Sequence, residues 1–181
     1  MRYAYYAKLK PRQKAVYRRS DDIAKLTLRN RAAFGPLVED LAATLESEQR
    51  AAIERASQAL ADTINVGFEV PRVRVKVLST RPSTRASELH GLYETGDRRA
   101  PAIVRVWMRT AYHKRVVAFR TFLRTLLHEL CHHLDYELLK LDDSFHTEGF
   151  FKRESSLFKQ LVAADVSRRR DEASGGGRDR R

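Results

Sequence analysis

The chain predicts an α+β fold with a long N-terminal helix, a small three-stranded sheet, a helix bearing a five-residue His/Glu motif and a C-terminal helix. Three observations predict it: apolar residues recur every three or four positions over 37–64, strict alternation follows at 72–77, and a second helical stripe over 119–138 carries His128, Glu129 and His132. At 181 residues, one domain can bury enough apolar surface to fold without disulfides. The single cysteine, Cys131, excludes an intramolecular disulfide and any zinc module built from cysteines alone. A metal held here must use histidine and carboxylate.

The first element is a basic and aromatic segment, residues 1–34. It mixes Tyr3, Tyr5, Tyr6 and Tyr17 with Lys8, Lys10, Arg12, Lys14, Arg18 and Arg19 and has no clean period, so it reads as an arm. The simpler reading has its tyrosines packed on the core and its charges solvated; the alternative has them stacking on bases beside neutralised phosphates. The central domain is expected over 35–167. Pro36 opens one long helix through Leu41, Leu45, Ile53, Leu60 and Ile64, ending before Gly67. Arg72-Val73-Arg74-Val75-Lys76-Val77 then places three valines on one face of a strand and three cations on the other. Glu88 to Glu94 and Ala102 to Met108 supply two further strands, separated by a turn at Gly96 and Asp97. The helical period returns from Val116, breaks at Asp142, Asp143 and Ser144, and resumes with Phe150, Phe151, Leu157, Phe158, Leu161 and Val162. Residues 168–181, ending ASGGGRDRR, are expected to be a disordered basic tail.

The net charge of +12 is unevenly spread: residues 1–34 hold ten Lys/Arg against two acids, and 168–181 hold six against three. The middle is nearly neutral, with a basic stretch at 72–124 between acidic flanks. DNA or another polyanion is a plausible partner of the basic ends. No run approaches the roughly 18 apolar residues of a membrane span, and the N-terminus has no apolar signal core. A soluble, cytoplasmic protein with no membrane partner is expected.

Helix geometry gives His128-Glu129-Leu130-Cys131-His132 its chemistry. Residues four apart share a face, about 6 Å along the axis, so His128 and His132 can direct two imidazole nitrogens at one ion. Glu129 lies roughly 100 degrees around from His128, where a carboxylate can take a proton from a metal-bound water. Zinc suits such a site, because it lowers the pKa of bound water toward 7 and so makes a nucleophile at neutral pH. The expected cofactor is one Zn²⁺ per chain, and the expected substrate is a protein or peptide.

A catalytic zinc needs a third protein ligand. His146, after the loop, is the expected one; Glu154, on the last helix, is the alternative, and Glu148 sits in the loop beside His146. Asp135, seven residues from His128 on the same face, suits an acceptor for a ligand N–H. His133 is expected on the helix flank or in solvent, His90 and His113 read as ordinary histidines, and Cys131 reads as a small apolar residue. Tyr136 and Arg105 are the possible oxyanion donors.

With these residues in place, the chain resembles the SprT-like branch of the minimal zincins, which includes the Spartan proteases and the Wss-type domains. The resemblance spans about Leu37 to Val162 and rests on LLHELCHHLDY followed by FHTEGFFKRESSLFKQL, in which His146 is followed four residues later by the helix-anchoring aromatic Phe150. It implies a zincin-like fold, His128, His132 and His146 as metal ligands, Glu129 as catalytic acid/base, and Leu89 to Tyr93 as the edge that pairs with an extended substrate. The family's proline in this stretch is replaced here by His146-Thr147-Glu148-Gly149-Phe150, and no cysteine zinc ribbon is present. A zinc metallopeptidase is therefore the leading expectation. The alternative is a nucleic-acid-associated binding protein with a structural or degenerate zinc site.

Overall fold

The computed structural model describes residues 3–84, 88–97 and 99–175. Pro11 opens α1 (Pro11–Asp22) at a position where a helix has no use for its missing N–H. Gln13 Oε1 accepts the Lys10 N–H at 3.1 Å and satisfies the entry to that first turn. α1 buries only Tyr17 and Ser20, a stripe one side chain wide, so the segment read as an arm is a helix that leaves no periodic signal. Tyr17 packs as the simpler reading expects, fully buried with the half-buried Tyr5 and Tyr6 edge-on at 6.0 and 4.8 Å, whereas Tyr3 is exposed.

The single long helix expected from Pro36 is two, α2 (Phe34–Glu46) and α3 (Arg50–Phe68). No glycine or proline marks the break. Ser47 Oγ donates to Thr44 O and accepts the Gln49 N–H, while Glu48 takes a left-handed φ of 57°. A serine competing for local backbone groups thus ends one helix, and α3 folds back along α2. Their facing residues, Val38, Leu41, Leu45, Ile53, Leu60 and Ile64, are all buried.

The sheet has the order β1 (Arg74–Thr80), β3 (Ile103–Arg109), β2 (Gly91–Glu94). β1 runs parallel to β3, with Val75 opposite Val104 and Val77 opposite Val106. β2 runs antiparallel to β3, with Gly91 opposite Val106 and Tyr93 opposite Val104. Since side chains alternate across a strand, Gly91 and Tyr93 share the face of the buried valines, and Leu92 and Glu94 take the other. The expected alternation holds over 73–77, at the start of β1, where Val73, Val75 and Val77 are buried and Arg74 is exposed.

Two helices complete the frame. α4 (Phe119–Glu137) packs against β2 and β3, and α5 (Glu148–Gly175) packs on α1, α2 and α4. α5 runs as far as Gly175, into the segment 168–181 expected as a basic tail; 176–181 lie outside the described residues. The fold is α+β, and among the described residues no helix is long and apolar enough to cross a membrane.

Candidate metal centre

α4 carries the motif at its middle, so His128 and His132 sit one above the other, with ring centroids 5.1 Å apart. The chain then turns at 138–147 and returns as α5. Thr147 stands before the first residue of α5, and its Oγ1 accepts the Phe150 N–H at 2.9 Å, a helix cap that fixes the direction of the return. His146, one residue earlier, is thereby laid over the motif. Its Nε2 lies 3.0 Å from His128 Nε2 and 3.1 Å from His132 Nε2. Fully buried Phe150 closes the floor, with its ring 5.0, 4.7 and 5.2 Å from His128, His132 and His146.

The segment expected as an arm holds this loop. Tyr5 Oη donates to His146 O at 2.9 Å, and the Gly149 N–H donates to Asp21 Oδ1 at 2.8 Å. A Cβ on Gly149 would lie 2.4 Å from Asp21 O, so only glycine lets α1 approach the start of α5 this closely.

Proton counting fixes the histidines. His128 Nδ1 meets a Glu154 carboxylate oxygen at 3.0 Å, so in a neutral imidazole Nδ1 carries the hydrogen and Nε2 is bare. His132 Nδ1 meets Ser144 Oγ at 2.7 Å, and that hydroxyl spends its one hydrogen on Asp135 Oδ2 at 2.8 Å. His132 Nδ1 is therefore also the donor, and its Nε2 is bare as well. With all three imidazoles neutral, His146 Nε2 can donate one hydrogen at most toward these two acceptors, so the cluster is short of hydrogens for its close contacts. A cation at the centre relieves that shortfall. Zinc–nitrogen bonds of about 2.0–2.1 Å in a tetrahedron put ligand nitrogens about 3.3 Å apart, close to the 3.0 and 3.1 Å that separate His146 Nε2 from the other two; all three ligand atoms lie within 4.8 Å of one another. The three imidazoles together form a group able to hold a metal ion, and imidazole nitrogen is among the ligands zinc takes.

Electrostatics agree with this role. Burial, reinforced by His128 and His146, lowers the pKa of His132 to about 3, and burial followed by His128 lowers that of His146. Neutral imidazole is the form that ligates. Glu154 is not placed as a ligand. Burial alone would raise its pKa, but hydrogen bonds from His128 and from Arg124 at 2.8 Å outweigh it and hold the carboxyl below its usual range. Asp135 reaches His132 only through Ser144, not directly, and its other oxygen accepts from Arg153 at 2.7 Å. Arg153 and Asp135 are both fully buried, and Arg153 also donates to Ser20 O and Ile23 O, tying α1 to the ligand's support.

Glu129 points from α4 toward β2. It is 6% exposed, and burial, with Glu154 adding to it against the opposing pull of His128, raises its pKa to about 7; the Tyr93 N–H donates to it. Gly91 makes the space: a Cβ there would stand 2.4 Å from Glu129 Oε1. Tyr93 stacks on His132 and Tyr136, with centroids 6.3 and 5.9 Å away.

Several residues differ from expectation. His133 faces neither metal nor solvent: it is buried, with Nε2 donating to Pro71 O at 2.8 Å and Nδ1 accepting from Tyr93 Oη at 3.2 Å. Arg105 pairs with Glu94 on the sheet face away from α4, which leaves Tyr136 at the cleft. Cys131 is buried, as expected of a small apolar residue. His113 is exposed against Tyr112, and His90 borders the cleft beside Glu88. Gly91 and Ser144 stand at the site without having been singled out by the sequence. An isolated glycine inside a strand pattern is a signal of close approach that could have found Gly91; nothing comparable marks Ser144.

A cleft of about 910 Å³ unites these groups, running from Arg120, Thr121, Arg124 and Thr125 past His128, Glu129 and His132 to Tyr136 and Ser144, with Gly91 to Tyr93 along one wall. No known protein family, curated protein or solved structure matches the chain.

Proposed function

We propose that the chain is a zinc-dependent metallopeptidase with a zincin-like site, in which His128, His132 and His146 hold the metal and Glu129 is the general base. The observation that carries the reading is the convergence of three Nε2 atoms, two of them bare, beside a buried carboxyl with a pKa of about 7. When bound, zinc supplies a Lewis acid that brings the pKa of a coordinated water toward 7. Glu129 would take a proton from the attacking water as its oxygen bonds to the carbonyl carbon, and pass it to the amine released when the C–N bond breaks, a task that suits a carboxyl titrating near neutrality. Glu154 and the Ser144–Asp135 pair keep the hydrogens of His128 and His132 on Nδ1. Tyr136 offers its hydroxyl to the carbonyl oxygen as charge develops there. β2 is an edge strand on the cleft wall, so an extended polypeptide would add to it as a fourth strand, with its scissile carbonyl beside Glu129.

The nucleic-acid alternative has less support. The sheet-region cations Arg72, Lys76, Arg105 and Arg109 are paired with Asp62, Glu54, Glu94 and Glu48, and Tyr17 is buried in its own chain.

Unfolded casein with the zinc-loaded chain tests the reading. Wild type is expected to cleave it, and Glu129→Gln to keep about one zinc per chain while cleavage falls on the order of 10³-fold. Undiminished cleavage by Glu129→Gln, or zinc content unchanged in His128→Ala and His132→Ala, would overturn it.

A further inference from the structure

The cleft continues past the metal toward the N-terminal end of α4, and nothing in the proposed chemistry uses that part. Arg120, Arg124, His128 and His132 follow one another at intervals of four, in one row with about 6 Å between successive residues. All four line the cleft. The carboxylates on its wall are already engaged: Glu129 accepts from the Tyr93 N–H, and Glu154 accepts from His128 and Arg124. Arg124 is thus neutralised, and its guanidinium lies 4.4 Å above the Phe158 ring. Arg120 shares that ring, at 5.1 Å, but among the described residues no carboxylate lies within ion-pair distance of it. Phe158 is 4% exposed, so it is a fixed platform that holds the Arg120 head toward the cleft.

We propose that this end of the cleft is a subsite for an acidic side chain of the substrate and that Arg120 is its specificity determinant. The inference rests on the reading of the site as a peptidase. An extended chain advances about 3.3 Å per residue, so Arg120, about 12 Å along α4 from His128, meets a residue three to four positions from the scissile bond. A peptide fits better than a nucleic acid. One unpaired guanidinium matches one carboxylate, whereas a phosphate backbone needs a track of free cations, and the next cation in the row is taken by Glu154.

The test uses the zinc-loaded full chain and quenched fluorescent peptides that differ only in Glu, Ala or Lys at the third and fourth positions on either side of the cleaved bond. The Glu peptide is expected to exceed the Ala peptide in kcat/KM by about fivefold on one side, with Lys lowest and the difference carried by KM. Arg120→Gln is expected to flatten the ranking and Arg120→Glu to invert it. A flat ranking in wild type, or one that persists in Arg120→Gln, would overturn the proposal. Anisotropy of the same peptides on Glu129→Gln separates the two ideas. If no peptide is cleaved but binding still ranks Glu over Lys through Arg120, the subsite stands and the peptidase reading falls. If peptides are cleaved without ranking, the subsite falls alone. A single-stranded oligonucleotide that displaces the Glu peptide, and whose own binding is lost in Arg120→Gln, would overturn the proposal in favour of a nucleic-acid ligand.

Discussion

Along β1, the backbone that faces away from β3 is met by side chains of α3: Gln58 donates to Val73 O and accepts from Val75 N–H, Glu54 accepts from Val77 N–H, and Arg50 donates to Val77 O. Along β2, the opposite edge, Glu129 meets the backbone at the Tyr93 N–H, among the described residues. Unpaired strand edges attract other chains, so a small sheet has reason to close both. This one closes the edge far from the histidines with three polar side chains and leaves the other facing the cleft, where the base of the proposed reaction waits. Changes on the two sides should therefore separate into losses of stability and losses of activity.

The largest effect is expected from Gly91→Val, which places carbon where the Glu129 carboxyl lies. Displacing the base by an ångström or more should lower kcat/KM on the order of 10²-fold while zinc content stays at the wild-type level. A variant that cleaves casein at the wild-type rate would break the contrast. Next is Gln58→Ala, which strips the β1 edge of two backbone partners and should cost about 2 kcal/mol in urea unfolding with kcat/KM unchanged within error. Lost activity at unchanged stability would reverse the assignment of the two edges. The smallest is Tyr93→Phe. It removes the hydroxyl held by His133 but keeps the ring against His132, so about 1 kcal/mol of stability and little activity should go; a large activity loss would put the Tyr93 hydroxyl into the chemistry.

What was legible in the sequence is what short-range periodicity writes. Val73, Val75 and Val77 declared their face by alternation, and the spacing of His128 and His132 declared a shared face on α4. The features missed depend on distant or local polar partners that no period records. The break between α2 and α3 turns on Ser47 and Glu48, with neither glycine nor proline to announce it. α1 shows no period because Tyr17 and Ser20 are all it buries. His133 looks free in sequence, and its partner Pro71 O lies 62 residues away. Glu154 and His146 were rivals for one role because sequence separation alone suits both; the cap at Thr147 gives His146 the inner position and Glu154 the place behind His128.

Zinc K-edge X-ray absorption on the purified full chain tests most directly whether three histidines hold one metal ion. About one zinc per chain with three imidazole nitrogens at about 2.0–2.1 Å is expected, with one imidazole lost in His146→Ala and all three kept in Glu154→Gln. Fewer than three imidazoles in wild type, or an oxygen ligand that disappears in Glu154→Gln, would contradict a three-histidine centre.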